Sequence, residues 1–144
     1  MNNMYEYEEN LYKEGYNFIA GTDEAGRGPL VGPVVAGCVV FPKGYKNDLI
    51  NDSKKLTEKK REQLYDIIIK DAVTYGIGIV SAKEIDELNI YEASRKAMIK
   101  AYEEANKKVK IDYLLTDAMP ITTLDIPVLK IQHISFVYRF FQFF

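Results

Sequence analysis

"NFIAGTDEAGRGPLVGPVVAGCVVF", residues 17–41, consists of two apolar runs separated by a cluster of glycine and proline. The first run, residues 17–25, and the second, residues 34–41, have the composition of β-strands, and the cluster between them breaks both. The stretch therefore predicts an antiparallel pair of strands with a wide connection. Asp23 and Glu24 stand at the end of the first predicted strand, directly before the glycines.

The turn after these acids consists of small residues around one cation. In a regular strand Asp23 and Glu24 would point to opposite faces, so they can serve one site only where the backbone leaves the ladder. Gly26 and Gly28 supply that departure and let a ligand approach the main-chain amides, and Arg27 can fork onto a phosphate. An ordinary surface turn is the open alternative. The motif is neither a Gly-Lys-Ser/Thr phosphate loop nor a dinucleotide fingerprint.

The remaining pattern predicts one layered domain. Helical periodicity and capping signals alternate with short apolar runs along the rest of the chain. The predicted helices cover residues 4–14, 57–71 and 90–108, and the further predicted strands cover 72–81, 111–117 and 126–132. With the first two strands, the order β-β-α-β-α-β-β indicates an α/β fold with a mixed sheet flanked by helices.

Local signals refine two of these elements. Ser81 with Glu84, and Asn89 with Glu92, have the spacing of N-terminal capping boxes. The helix after Asn89 carries a stripe of mostly small residues, which would let it lie close to the sheet. The stripe comprises Ile90, Ala93, Ala97, Ala101 and Ala105.

Length and composition exclude several classes of protein. The 144 residues suffice for one domain, and a formal net charge of −2 gives no global basic field that would indicate a nucleic-acid partner. One cysteine, Cys38, excludes an internal disulfide and a cysteine-rich zinc cluster, and its apolar run predicts a buried, inert thiol. The acidic N-terminus is no signal peptide, and no apolar run approaches the roughly 18 residues of a membrane span. We expect a cytoplasmic monomer with no membrane partner.

Asp117 is the next informative acid, because it ends the apolar run "IDYLLTD" just before a proline-marked loop. Ligands of open α/β sheets gather at such strand ends. If the strands that hold Asp23 and Asp117 are neighbours, three carboxylates converge there. Hard oxygen ligands without histidine or cysteine favour Mg²⁺ or Mn²⁺ over zinc. The alternative is that Asp117 is a helix cap or a loop acid.

Basic residues are concentrated around "NDSKKLTEKKR", residues 51–61. Residues 43–61 hold seven lysines and arginines against three acids, in a chain that is acidic overall. A surface that contacts phosphates beside the carboxylates is one interpretation. A solvated helix start is the other.

Four segments together resemble one known family. "GTDEAGRGPLVGPVV", "DSKKLT", "NIYEASRKAM" and "DYLLTDAMP" are similar to bacterial ribonuclease HII, and the resemblance runs from about residue 4 to about residue 131. It implies a ribonuclease H-like fold and two-metal-ion hydrolysis with Mn²⁺ or Mg²⁺. The implied substrates are the RNA strand of RNA–DNA hybrids and ribonucleotides embedded in DNA.

The resemblance also implies residue roles. Three of the family's four catalytic metal-binding acids match Asp23, Glu24 and Asp117. The family's ribonucleotide-sensing turn matches Gly26, Arg27 and Gly28. Its contact with a backbone phosphate matches Lys54. On this basis the opening turn exists so that backbone groups can approach a 2′-hydroxyl, the feature that separates RNA from DNA.

The last residues depart from the family pattern. Residues 132–144, "QHISFVYRFFQFF", contain no match for the family's fourth acid or its stacking tyrosine. We therefore expect residues 1–131 to form an incomplete ribonuclease H-like domain, truncated at its C-terminus, followed by an aberrant aromatic tail at 132–144. Two alternatives to an active nuclease stay open. One is a catalytically inactive fragment that retains only hybrid or metal binding, and the other is an unrelated metal- or nucleotide-binding domain.

Overall fold

A computed structural model describes residues 6–25, 32–45, 58–117 and 119–131. The helices in these stretches are α1 (Glu6–Lys13), α2 (Glu58–Asp71), α3 (Ala82–Leu88) and α4 (Ile90–Asn106). The strands are β1 (Ile19–Ala25), β2 (Val34–Val40), β3 (Thr74–Val80), β4 (Tyr113–Asp117) and β5 (Val128–Ile131). Residues 51–57 of the basic segment, which include the predicted helix start at Thr57, and the predicted tail at 132–144 lie outside the described residues. In the described stretches, no helix is long and apolar enough to cross a membrane.

The five strands form one mixed sheet in the order β3-β2-β1-β4-β5. β1 pairs antiparallel with β2, as the opening stretch predicts, and β2 pairs antiparallel with β3. β4 lies parallel to β1 on its other side and parallel to β5. The predicted α/β fold with a mixed sheet flanked by helices is confirmed, and β1 is its central strand.

Helix α4 lies directly on one face of the sheet because both surfaces lack bulky side chains. The four predicted alanines of its stripe, together with Ser94, Met98 and Tyr102, are buried. They meet Gly76 and Gly78 of β3, where a Cβ would stand only 2.3 Å and 2.1 Å from the carbonyl oxygens of Ala101 and Ala97. The predicted close contact is confirmed except for Ile90. That residue begins the helix and is 38% exposed.

The opposite face of the sheet is covered by α1 and α2. Its core joins the buried Leu11 of α1 and Ile68 of α2 to Ile19, Val39 and Leu115 of the sheet. Aromatic side chains surround this core, among them Tyr12, Tyr16, Phe41 and Tyr45. The sheet is therefore covered by helices on both faces. Cys38 is fully buried on the α4 side, and this burial raises the pKa of its thiol, as expected of an inert cysteine.

The residues of strand β3 alternate between buried and less buried positions. Its smaller residues face the side of the sheet that α4 covers. Gly76 and Gly78 are buried under α4, whereas Tyr75 and Ile79 on the other face are exposed. An apolar side chain at an edge strand stays exposed where the covering helix does not reach it. The alternation predicts the strand correctly and does not reveal which face is buried.

Both predicted helix starts are confirmed. Ser81 and Glu84 form a complete capping box at α3. Asn89 ends α3 and begins α4: its backbone N–H donates to the Ile85 carbonyl, and its side chain accepts from the Glu92 N–H at 2.9 Å. Its φ of 101° is uncommon for a residue with a Cβ, and asparagine is among the residue types enriched at positive φ.

Candidate metal centre at the ends of strands β1 and β4

Asp23 and Asp117 follow the last paired positions of two neighbouring parallel strands. The paired Cα positions of β1 and β4 run from Ile19 with Tyr113 to Thr22 with Thr116. The register of this ladder, continued one step beyond its last pair, sets Asp23 level with Asp117. Level residues of adjacent strands project to the same face. The condition that the sequence left open, that these two strands are neighbours, is met.

The surroundings of Asp23 are enclosed but carry few side chains. Its side chain is 4% exposed. Its Cα partner on β2 is Gly37, and Gly21 precedes it by two residues on the same face of β1. Because both residues are glycine, neither Gly21 nor Gly37 places a side chain beside the carboxylate of Asp23. A buried carboxylate needs compensating partners, since removing its charge from water is costly. Asp117, at the end of β4, is half-buried.

Two buried threonines fix the backbone immediately before each acid. The Thr22 hydroxyl donates to the Gly37 carbonyl at 2.6 Å, which ties β1 to β2. The Thr116 hydroxyl donates to the Met119 carbonyl, which ties the end of β4 to the loop that follows. Both side chains are fully buried. The sequence offers no signal for these contacts, because each depends on a backbone carbonyl that the fold brings into reach.

The two ladders of β1, with β2 and with β4, end at different residues, and this determines the backbone pairing at Glu24. The ladder with β4 stops at Thr22, whereas the ladder with β2 continues through Glu24 and Ala25. Asp23 and Glu24 thus stand beyond the end of one ladder but within the other. The side chain of Glu24 lies outside the described set, and Gly26, Arg27, Gly28 and Lys54 lie outside the described residues altogether.

The donor set suits a hard divalent cation. Two adjacent carboxylates repel each other unless a cation or a proton intervenes. Mg²⁺ commonly binds through one or two carboxylates and completes its shell with water. Among the side chains that the structure describes, which exclude that of Glu24, no group of three or more His, Cys, Asp or Glu could hold a metal ion. The convergence of three acids therefore stays a prediction, while the described pair fits a metal by its chemistry.

Comparison with known proteins identifies the family to which these features correspond. The family model for ribonuclease HII matches residues 20–136. Ribonuclease HII of Caldanaerobacter subterraneus subsp. tengcongensis is 60% identical over 125 residues, which are 87% of this chain and 51% of the relative. Ribonuclease HII of Bacillus subtilis (strain 168) is 50% identical over 130 residues, which are 89% of this chain and 50% of the relative. The chain spans about half the length of these curated relatives.

Solved structures agree on the fold. The crystal structure of ribonuclease H2 from Pyrococcus horikoshii OT3 superposes with a TM-score of 0.68 at 25% identity, covering 85% of this chain and 69% of the other. The RNase H3 crystal structure from Aquifex aeolicus gives a TM-score of 0.63 at 20% identity, covering 92% of this chain and 60% of the other. The mixed sheet and its helices are those of an α/β ribonuclease H-like fold.

Proposed function

The chain belongs to the ribonuclease HII family, and from that membership we propose that it is an endonuclease of RNA–DNA hybrids. It cleaves the RNA strand of hybrids and single ribonucleotides embedded in DNA. One observation of the structure supports the proposal: Asp23 and Asp117 are the next residues after Thr22 and Thr116, the last pair of the parallel ladder between β1 and β4. Hydrolysis of a phosphodiester by a metal nuclease needs carboxylates gathered in this way.

The proposed metal ligands are Asp23, Glu24 and Asp117, and the proposed ions are Mn²⁺ or Mg²⁺. A pair of such ions, when bound, activates the attacking water and stabilises the leaving oxygen. The protein's part is positional. The hydroxyls of Thr22 and Thr116 hold the two backbones, and the burial of Asp23 keeps its carboxylate oxygens from being fully hydrated.

Recognition of the substrate is proposed for residues outside the described set. The turn formed by Gly26, Arg27 and Gly28 begins two residues after Glu24, so in the chain it follows Asp23 and Glu24 closely. Its glycines let main-chain groups approach a 2′-hydroxyl, which DNA lacks. Lys54 contacts a backbone phosphate and contributes affinity without reading sequence. We also propose a cytoplasmic location, which is supported by such a substrate and by the bacterial origin of the relatives.

A second candidate is binding of metal or hybrid without cleavage. It is favoured because the described side chains, which exclude that of Glu24, include no group of three or more His, Cys, Asp or Glu that could hold a metal ion. One ion can bind at two carboxylates with water completing its shell, whereas a second ion needs further negative charge. This candidate predicts binding of the hybrid at normal strength with no turnover.

A cleavage assay separates these functions. The substrate is an end-labelled DNA duplex with one ribonucleotide, incubated with the 144-residue chain and Mn²⁺ or Mg²⁺, and an all-DNA duplex serves as the blank. We expect cleavage at the ribonucleotide, lost in Asp23→Asn and Asp117→Asn. The exposed Asp66 of α2 provides the matched control, because Asp66→Asn removes the same charge at a residue outside the proposed ligand set. Binding without cleavage by the wild type would favour the second candidate, and neither binding nor cleavage would refute both.

A further inference from the structure

Arg95 connects helix α4 to the loop that follows Asp117, and we propose that it is a positioning residue for that acid. The inference rests on the proposed function, in which Asp117 is a metal ligand. Arg95 itself touches the loop and not the acid. Its Nε donates to the carbonyl oxygen of Pro120 at 3.2 Å. Pro120 stands three residues after Asp117, so this bond holds the chain just beyond the end of β4.

The guanidinium of Arg95 is held from several directions. One terminal nitrogen donates to both carboxylate oxygens of Glu92, at 2.7 Å and 2.9 Å. The guanidinium carbon lies 4.9 Å from the centroid of the Tyr91 ring, in cation–π contact. The side chain is 27% exposed. A planar group fixed by an ion pair and a ring holds its Nε–H in one direction, which is toward the carbonyl of Pro120.

The loop has an anchor on each side of this bond. The Thr116 hydroxyl donates to the Met119 carbonyl, and the side chains of Met119 and Ile121 are buried in the core beneath α4. Arg95 donates to the carbonyl of Pro120, which lies between these two residues. Pro120 has no N–H, so its carbonyl is the only main-chain hydrogen-bonding group it offers. The three contacts together fix residues 119–121, which begin two positions after Asp117.

The contribution of Arg95 is geometric more than electrostatic. Glu92 lies within hydrogen-bonding distance of the guanidinium and offsets its charge. Removing Arg95 also removes one positive charge and leaves Glu92 unpaired, so the control variant must remove a paired cation as well. Arg95→Lys keeps the charge but loses the planar fork, and we expect it to restore only part of the effect.

The first test needs neither metal nor substrate. Arg95→Met keeps the aliphatic stem and removes the guanidinium. Lys96→Met is the matched control, because Lys96 also makes an ion pair, with Glu84 at 2.6 Å, but makes no contact with the loop. Backbone hydrogen exchange over residues 119–127 should accelerate in Arg95→Met and stay unchanged in Lys96→Met. Equal exchange in the two variants would overturn the proposal.

The second test measures the consequence for the site. Titration of the whole chain with Mn²⁺ should show about tenfold weaker binding in Arg95→Met, the lower end of the range for residues that orient metal ligands. Arg95→Lys should fall between Arg95→Met and the wild type. In cleavage, the Mn²⁺ concentration for half-maximal rate should rise while KM for the hybrid stays constant.

Two results would overturn the positioning of Asp117. One is faster loop exchange with unchanged Mn²⁺ affinity, and the other is equal loss of affinity in Lys96→Met. A wild-type chain that binds no Mn²⁺ would instead refute the proposed function, and the exchange comparison would then decide whether Arg95 fixes the loop.

Discussion

The Cβ that Gly78 lacks would stand 2.1 Å from the carbonyl oxygen of Ala97. Strand β3 and helix α4 touch backbone to backbone at this point, so no side chain can move aside to make room. Gly78→Ala should therefore lower the free energy of unfolding by about 3 kcal/mol or more, the upper part of the range for overpacking a core. Denaturation in urea measures it.

The control for this substitution is Gly44→Ala. Gly44 has open space around the added methyl group but a φ of +74°, so the variant meets strain without a clash. We expect a loss of about 1 kcal/mol there. If Gly78→Ala proved no worse than Gly44→Ala, the close packing of α4 on β3 would be contradicted.

Glu8 should make stability depend on pH. Burial, with a smaller contribution from Glu9, raises its pKa from 4.5 to about 7. Its Oε2 atom accepts no hydrogen bond from the described part of the chain. Between these pH values the folded protein holds a proton that the unfolded chain has lost, so stability falls as pH rises from 4.5 to about 7 and then levels off.

Glu8→Gln removes the charge that burial disfavours. It should raise stability by about 2 kcal/mol near pH 8 and change it little near pH 4.5, after allowance for partial solvent screening. Thermal unfolding at both pH values measures the difference. Glu14→Gln, at an exposed glutamate of the same segment, is the control and should not alter the pH profile. A gain for Glu8→Gln of equal size at both pH values would show that charge is not the cause.

Mn²⁺ should stabilise the wild type and not its acid variants. A ligand that binds only the folded state, present at a hundred times its Kd, adds about 2.7 kcal/mol. We expect a rise in Tm for the wild type and for Asp66→Asn, and none for Asp23→Asn or Asp117→Asn. A Tm rise common to all four proteins would place the ion elsewhere.

Gly28 should govern discrimination between RNA and DNA. A bulky residue there, as in Gly28→Leu, would keep the main chain away from the 2′-hydroxyl and remove the preference for hybrid over DNA. Lys54→Ala should instead weaken both duplexes alike and reduce the slope of log affinity against log salt by about 1. Fluorescence anisotropy at several salt concentrations separates the two effects. Equal loss on both duplexes in Gly28→Leu would contradict this division.

The sequence predicts the local elements well because local rules determine them. The capping residues Ser81 and Asn89 begin helices where predicted, and the alanine stripe of α4 lies on the sheet. The prediction that Ile90 is buried is wrong, because periodicity assigns a face to every residue of a helix. Ile90 lies in the first turn, where the helix has not yet reached the sheet.

Contacts between residues that are distant in the chain are harder to predict from sequence. Sequence alone could state only that Asp23 and Asp117 would meet if their strands were neighbours, because register between distant strands has no local signal. Arg95 and Pro120 are 25 residues apart, and their contact follows from the crossing of α4 over the loop. The family resemblance supplies the roles of Asp23 and Asp117, whereas the contact of Arg95 comes from the structure.

The parallel pairing of β1 with β4 also determines when, during folding, the proposed site can form. β1 and β2 are joined by a short connection, so their ladder can form early. The two acids, in contrast, belong to segments separated by β2, β3 and the described helices α2, α3 and α4. A nascent chain emerging from the ribosome holds Asp23 long before Asp117 is synthesised. An ion that bound at the proposed pair would therefore report on a finished sheet, and it could stabilise the native protein without guiding its early folding.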